Sequence, residues 1–211
     1  MLFRSIMKYV LVILTLLLSS TAIAQEPPQI ELPKFLLAPT PIHPLTRDIY
    51  IQDVIDMPLA FSIRDQLQDL NEASAKEITV HVSSPGGSVL AGLAIYDYLT
   101  EGRSPIKTIC EGYCMSMAAT LLMAGDVREA TENATIMFHT LASESKGHLQ
   151  EMKADLAESE RLQKIIDTII HARSGLPLDT IRAMESYDHY MSPQEAKTLN
   201  LIDKIRVRHA H

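Results

Sequence analysis

Serine, histidine and aspartate occur in this chain in an order, and at kinds of position, that could carry out acyl transfer. Ser116 follows a strand-like run, Ile106-Lys-Thr-Ile-Cys110, and a turn at Gly112, and it opens a helix of small and apolar residues over 116–124. His139 ends a second such run, Ala134-Thr-Ile-Met-Phe-His139, and Asp188 stands just ahead of a helix start at Ser192. Such a trio can supply a nucleophile, a general base and a carboxylate that orients the base. Upstream, Ile78-Thr-Val-His-Val-Ser-Ser84 breaks at Pro85-Gly86-Gly87 before another helix. Adjacent glycines let backbone amides approach a ligand closely, and a helix start beside them favours negative charge, so this turn suits an oxyanion. The plain alternative for Ser116 is an N-cap, the commonest role of a serine at a strand-to-helix junction.

These residues need a frame. From Asp48 the pattern predicts a strand at 49–51, a helix at 59–75, a strand at 78–83 and a helix at 89–100. A strand at 106–110, the helix at 116–124 and a strand at 135–139 follow. Alternating strands and helices point to the α/β class, with a parallel sheet covered by helices. A long helix over 149–173 carries an incomplete apolar stripe (Leu149, Met152, Leu156, Ile165, Ile166, Ile169, Ile170) and stops at Gly175-Leu-Pro177. Ser192-Pro-Gln-Glu195 is a capping box that starts the last helix, and 201–207 closes as a strand.

Taken together, Ser84-Pro-Gly-Gly-Ser88 with Ala91-Gly-Leu-Ala-Ile-Tyr-Asp97, Thr108-Ile-Cys-Glu-Gly112 with Ser116-Met117, Met137-Phe-His139, Met191-Ser-Pro-Gln-Glu-Ala196 and Leu201-Ile-Asp203 resemble the proteolytic subunit of the Clp protease, within the wider Clp/crotonase fold. The resemblance covers roughly residues 48–205. It implies a repeated β-β-α superhelical spiral core with a protruding handle helix. It also implies Ser116 as nucleophile, His139 as base, Asp188 as its partner, and the amides of Gly87 and Met117 as the oxyanion hole. His189, beside Asp188, is a second candidate to pair with it; His139 is preferred because it ends a strand, as the resemblance expects. Peptides or unfolded proteins become the expected substrates, and a homo-oligomeric ring the expected assembly. Three features depart from the family: Cys114 and Met115 replace alanines before the serine, Thr140-Leu-Ala-Ser-Glu144 replaces a Gln-Pro and glycine-rich segment, and Tyr187 replaces a common arginine. Competing readings are a serine–lysine peptidase with Lys164 or Lys153 as base, a crotonase-like acyl-CoA enzyme, and an inactive ring scaffold.

Ahead of this domain (48–211), residues 1–24 read as a signal peptide. Arg4 and Lys8 make a positive start, 9–18 is an apolar stretch, and Ala22-Ile-Ala24 is a small-x-small cleavage signal. The apolar stretch falls short of the roughly 20 residues a membrane span needs, so export, to a bacterial periplasm, is preferred over an N-terminal anchor. Residues 25–47 hold prolines at 27, 28, 33, 39, 41 and 44 and read as an extended arm. An exported enzyme has no ATP supply to drive a chaperone ring, which speaks against an ATPase partner. Loss of 1–24 takes the formal charge from −7 to −9, which excludes a nucleic-acid-binding balance. No spacing suits a metal or cofactor: His209 and His211 form a tail pair, and His81 reads as a satisfied strand residue. Cys110 and Cys114, about 13 Å apart in extended chain, read as two small buried hydrophobes, the alternative being a disulfide if the turn at Gly112 folds them together in an exported protein.

Overall fold

The computed structural model describes residues 46–207; the expected signal peptide, nearly all of the proline-rich arm and the His209/His211 tail lie outside them. Strands and helices alternate as β1 (Asp48–Ile55), α1 (Met57–Ala73), β2 (Ile78–Gly87), α2 (Val89–Thr100), β3 (Ile106–Met115), α3 (Met117–Leu122), β4 (Val127–Thr131), β5 (Thr135–Phe138), α4 (Leu149–Ser174), α5 (Leu178–Glu185), β6 (His189–Met191), α6 (Pro193–Thr198) and β7 (Lys204–Arg206). The sheet runs β1-β2-β3-β4-β7 with every neighbour parallel. This is the α/β arrangement the alternating pattern predicts.

Burial follows the period of each element. On β1 and β2, Ile49, Ile51, Ile55, Ile78, Val80 and Val82 are completely buried, each stabilising the fold by about 1.5–3 kcal/mol. On α1 the buried stripe is Ala60, Ile63, Leu67 and Leu70, at helical spacing. That helix begins two residues earlier than its apolar pattern suggests, because the Asp56 carboxylate accepts from the Leu59 amide at 2.9 Å and caps it. The capping box at Ser192 forms as expected, and Gly175 ends α4 in the left-handed conformation at φ 77°.

Several expectations fail near the glycines. Strand β2 does not stop at residue 83 in a tight turn; it continues through Pro85, and Val54 and Ile55 of β1 pair with Gly86 and Gly87. Its register shifts after Gln52 to absorb the change. Likewise β3 does not turn at Gly112. With φ 80° there, the strand bends and runs on to Met115, so that its first half (107–110) pairs with β4 and its second half (113–115) with β5. Elements β4, α5 and β6 are absent from the sequence reading.

The bend at Gly112 also corrects the cysteine expectation. It folds Cys110 and Cys114 to a Cα separation of 5.9 Å, and they form a disulfide across the two halves of β3. An extended-chain distance fails wherever a glycine lets the strand double back.

Candidate active site

Ser116 is held at the joint between β3 and α3 with φ 55° and ψ −126°, a region that non-glycine residues occupy at a cost of about 1–3 kcal/mol. Hydrogen bonds hold it there. Its amide donates to Met137 O at 2.8 Å, and its carbonyl accepts from Ala119 and Thr120 at 2.9 and 3.2 Å. Although Ser116 occupies the N-cap position, its hydroxyl caps nothing. The side chain instead meets His139, with Nε2 2.8 Å from Oγ. That is hydrogen-bond distance for a base to take the hydroxyl proton.

Strand β2 passes directly beneath this joint. A Cβ on Gly86 would lie 2.9 Å from the Ser116 Cβ and 3.0 Å from the Met117 nitrogen, so only glycine fits there. At Gly87 a Cβ would run into the backbone of Ile55. Met117 is the first residue of α3, so its amide has no acceptor within its own helix. It is Gly86 that approaches Met117, while Gly87 lies against Ile55 of β1; the Met117 amide, free of its own helix, is left as a donor beside Ser116.

His139 follows the last residue of β5 and is half-buried. Strand β6 pairs antiparallel with β5, with Ile136 opposite Met191 and Phe138 opposite His189. Carried one step further, this register brings Asp188 opposite His139, where cross-strand side chains come within reach of each other. Asp188 is exposed, and no hydrogen bond joins it to His139 in this structure. The alternative histidine, His189, stacks on Tyr187 at 5.4 Å and faces Phe138 rather than Ser116. Neither Lys153 nor Lys164 hydrogen-bonds Ser116; Lys164 lines a separate cavity. His81 is satisfied, by Glu111 at 2.9 Å and Asp48 at 3.3 Å.

A group invisible to the sequence reading sits beside the pair. Glu185, the last residue of α5, lines the small pocket next to Ser116 and His139, and only 2% of it is exposed. Asp167 of α4, at 3%, lies behind it. Gln163 Nε2 donates to both acids, at 2.7 Å to Asp167 and 2.9 Å to Glu185. Burial first, then the charge and hydrogen bonding of Asp167, push the Glu185 carboxyl up to about 8. The backbone binds the same corner together: Thr140 donates its amide and its hydroxyl to Glu185 O at 2.7 and 2.8 Å. No local motif marks either acid, which come together only because α4 and α5 pack against the segment after His139.

Comparison with known proteins gives one consistent set of matches. Residues 43–209 match the family model for Clp protease. The ATP-dependent Clp protease proteolytic subunit of Deinococcus radiodurans is 35% identical over 162 residues, covering 75% of this chain and 79% of its own. That of Bacteroides fragilis is 34% identical over 167 residues, covering 78% and 81%, and that of Bacteroides thetaiotaomicron 34% over 167 residues, covering 78% and 76%.

Proposed function

The chain belongs to the Clp protease family and is a serine peptidase, and we propose that Ser116, His139 and Asp188 are its nucleophile, general base and orienting carboxylate. The observation that carries the proposal is the 2.8 Å contact between His139 Nε2 and Ser116 Oγ, made by a serine whose backbone turns its side chain away from the capping position. Ser116 attacks the peptide carbonyl while His139 takes the hydroxyl proton and returns it to the leaving amine. Gly87 and Met117 amides receive the charge on the tetrahedral oxygen, worth about 10²–10³ in rate for one such donor. Asp188, opposite His139 in register, closes on the imidazolium as charge develops.

A fluorophosphonate probe tests this. Wild-type protein should label on Ser116, and Ser116→Ala and His139→Ala should each lose labelling and about 10⁶ of kcat on an unstructured peptide. Asp188→Asn should cost less. Labelling that survives His139→Ala but not Lys164→Ala would transfer the base to the lysine.

Substrates are peptides and unfolded proteins, and the assembly is a ring of copies of this chain. Supporting the ring, the first half of α4 exposes Leu149 and Leu156 at 66% and 60%, while its buried residues begin only at Leu162. Apolar positions left bare on one helix face suit contact with a neighbouring copy. The protein is exported after cleavage behind Ala24. The Cys110–Cys114 disulfide supports this, because such bonds persist in oxidising compartments. N-terminal sequencing of protein from its native host should begin at Gln25; an intact Met1 on soluble protein would overturn it.

A further inference from the structure

The pocket beside Ser116 has apolar walls and an acidic end. Met117, Phe138 and Ile166 form its sides, and Glu185 lies at its limit. Its volume is about 20 Å³, room for little more than one water. Leu141 and Glu185 also line a second cavity of about 410 Å³, with Asp167 and Arg182 on its far side. Leu141 and Glu185 thus border both spaces. Leu141 lies in the segment between β5 and α4, which has no regular structure, and its amide donates to Gln163 Oε1 at 2.7 Å.

The acids at this junction are not balanced. Glu160, Asp167 and Glu185 line the larger cavity against Lys164 and Arg182. Arg182, its side chain 57% exposed, is shared between Asp167 at 3.4 Å and Asp179 at 3.8 Å, and makes no ion pair with Glu185. Glu185 Oε1 is buried and receives no hydrogen bond from any donor among the described residues. A proton held between the two carboxyls relieves the repulsion and still leaves one negative charge in a nearly dry site. A cation would serve the pair better than that proton, and apolar walls ahead of a carboxylate suit a long methylene stem that ends in charge.

Resting on the peptidase reading above, we propose that Glu185, backed by Asp167, is the specificity-determining group of the cleft and selects lysine or arginine immediately before the scissile bond. The stem of that side chain runs past Met117 and Ile166, displaces Leu141, and sets its ammonium or guanidinium against Glu185 Oε1. Gln163 keeps the other carboxyl oxygen in place. The proton of the acid pair leaves to solvent as the cation enters.

Fluorogenic peptides of one sequence, varied only at the residue before the scissile bond among lysine, arginine, leucine and glutamate, test this on the full chain. Wild-type protein should show kcat/KM for lysine and arginine at least tenfold above leucine. Glu185→Gln should lower the lysine-to-leucine ratio at least tenfold, and Glu185→Asp should keep the basic preference. Reading a ratio removes any general loss of folded protein. Fluorophosphonate labelling of Ser116 in the same preparations separates the two claims. A labelled enzyme that prefers leucine, or a ratio unmoved by Glu185→Gln, overturns the specificity while leaving the peptidase reading intact; wild-type protein that neither labels nor cleaves overturns both.

Discussion

Arg128 with Asp203, and Asp167 with Glu185, are two buried charged sites built on opposite logic. Arg128 is 5% exposed, about as buried as either acid of the other pair. Its guanidinium meets Asp203 at 2.7 and 3.1 Å and donates to Arg173 O at 2.9 Å, and its amide adds a third bond to the same carboxylate. Opposite charges and satisfied donors hold the Asp203 carboxyl below its usual range. This site ties β4 to the turn before β7, far from Ser116. The second site sets two acids together with only a half-exposed Arg182 on Asp167, leaves a Glu185 oxygen without a donor, and pushes the Glu185 carboxyl upward, beside Ser116. A buried acid with a raised pKa and an unpaired oxygen beside the Ser116–His139 contact is a candidate for a functional group, where the completed Arg128–Asp203 pair is a structural tie.

The largest effect that would sharpen this contrast is on stability. Arg128→Ala should cost about 3 kcal/mol in urea unfolding, because it leaves the Asp203 carboxylate with the residue 128 amide alone and takes the donor from the Arg173 carbonyl. A loss no greater than that of Glu185→Gln would break the contrast. Next, Gln163→Leu removes the donor shared by both acids and should cost about 1–3 kcal/mol, with a lowered lysine-to-leucine ratio as well. Stability lost without a change in that ratio would make Gln163 a packing residue only.

The smallest signal is a slope, and the two sites give it opposite signs. Folded Glu185 holds its proton more tightly than the unfolded chain does, so its stabilisation is complete below about 4.5 and is lost as pH rises toward 8. Asp203 contributes above its ordinary value of 3.8 and loses that contribution as pH falls through its lowered value. Wild-type stability should therefore fall between pH 5 and 8 by about 1 kcal/mol per unit relative to Glu185→Gln. Thermal unfolding across that range checks it, and parallel curves for the two proteins would remove the charge argument. Asp167, Glu160 and Lys164 on α4, Arg182 on α5 and His139 after β5 surround the group and are common to both curves.

The chemistry was more legible in the sequence than the structure that holds it. Ser116 follows one recognisable apolar run and His139 ends another, and local pattern together with the family resemblance singled out the two side chains that the structure brings to 2.8 Å. What escaped depended on contacts between distant residues. Arg128 and Asp203 are 75 positions apart; read locally, Val127-Arg-Glu-Ala-Thr131 carries too much charge for a strand, and pairing with β3 and β7 makes it one. Glu185 closes a short helix with no signal of its own. The cysteines were misjudged for the reverse reason: a single glycine torsion brought near neighbours closer than chain length alone allows.

The pairing of β5 with β6 has a consequence for how such a protein can vary. His139 and Asp188 leave the sheet opposite one another, one step past the end of the same ladder, and everything between them, including α4 and α5, is an excursion that departs from and returns to the same place. Its length is free of the geometry at its base. Extra turns in the first half of α4 would lengthen the exposed arm without moving either end, and closing a longer loop costs little, about 0.6 kcal/mol per doubling. The arm can thus be reshaped by insertion while the spacing of His139 and Asp188 is kept by the three backbone rungs beside them.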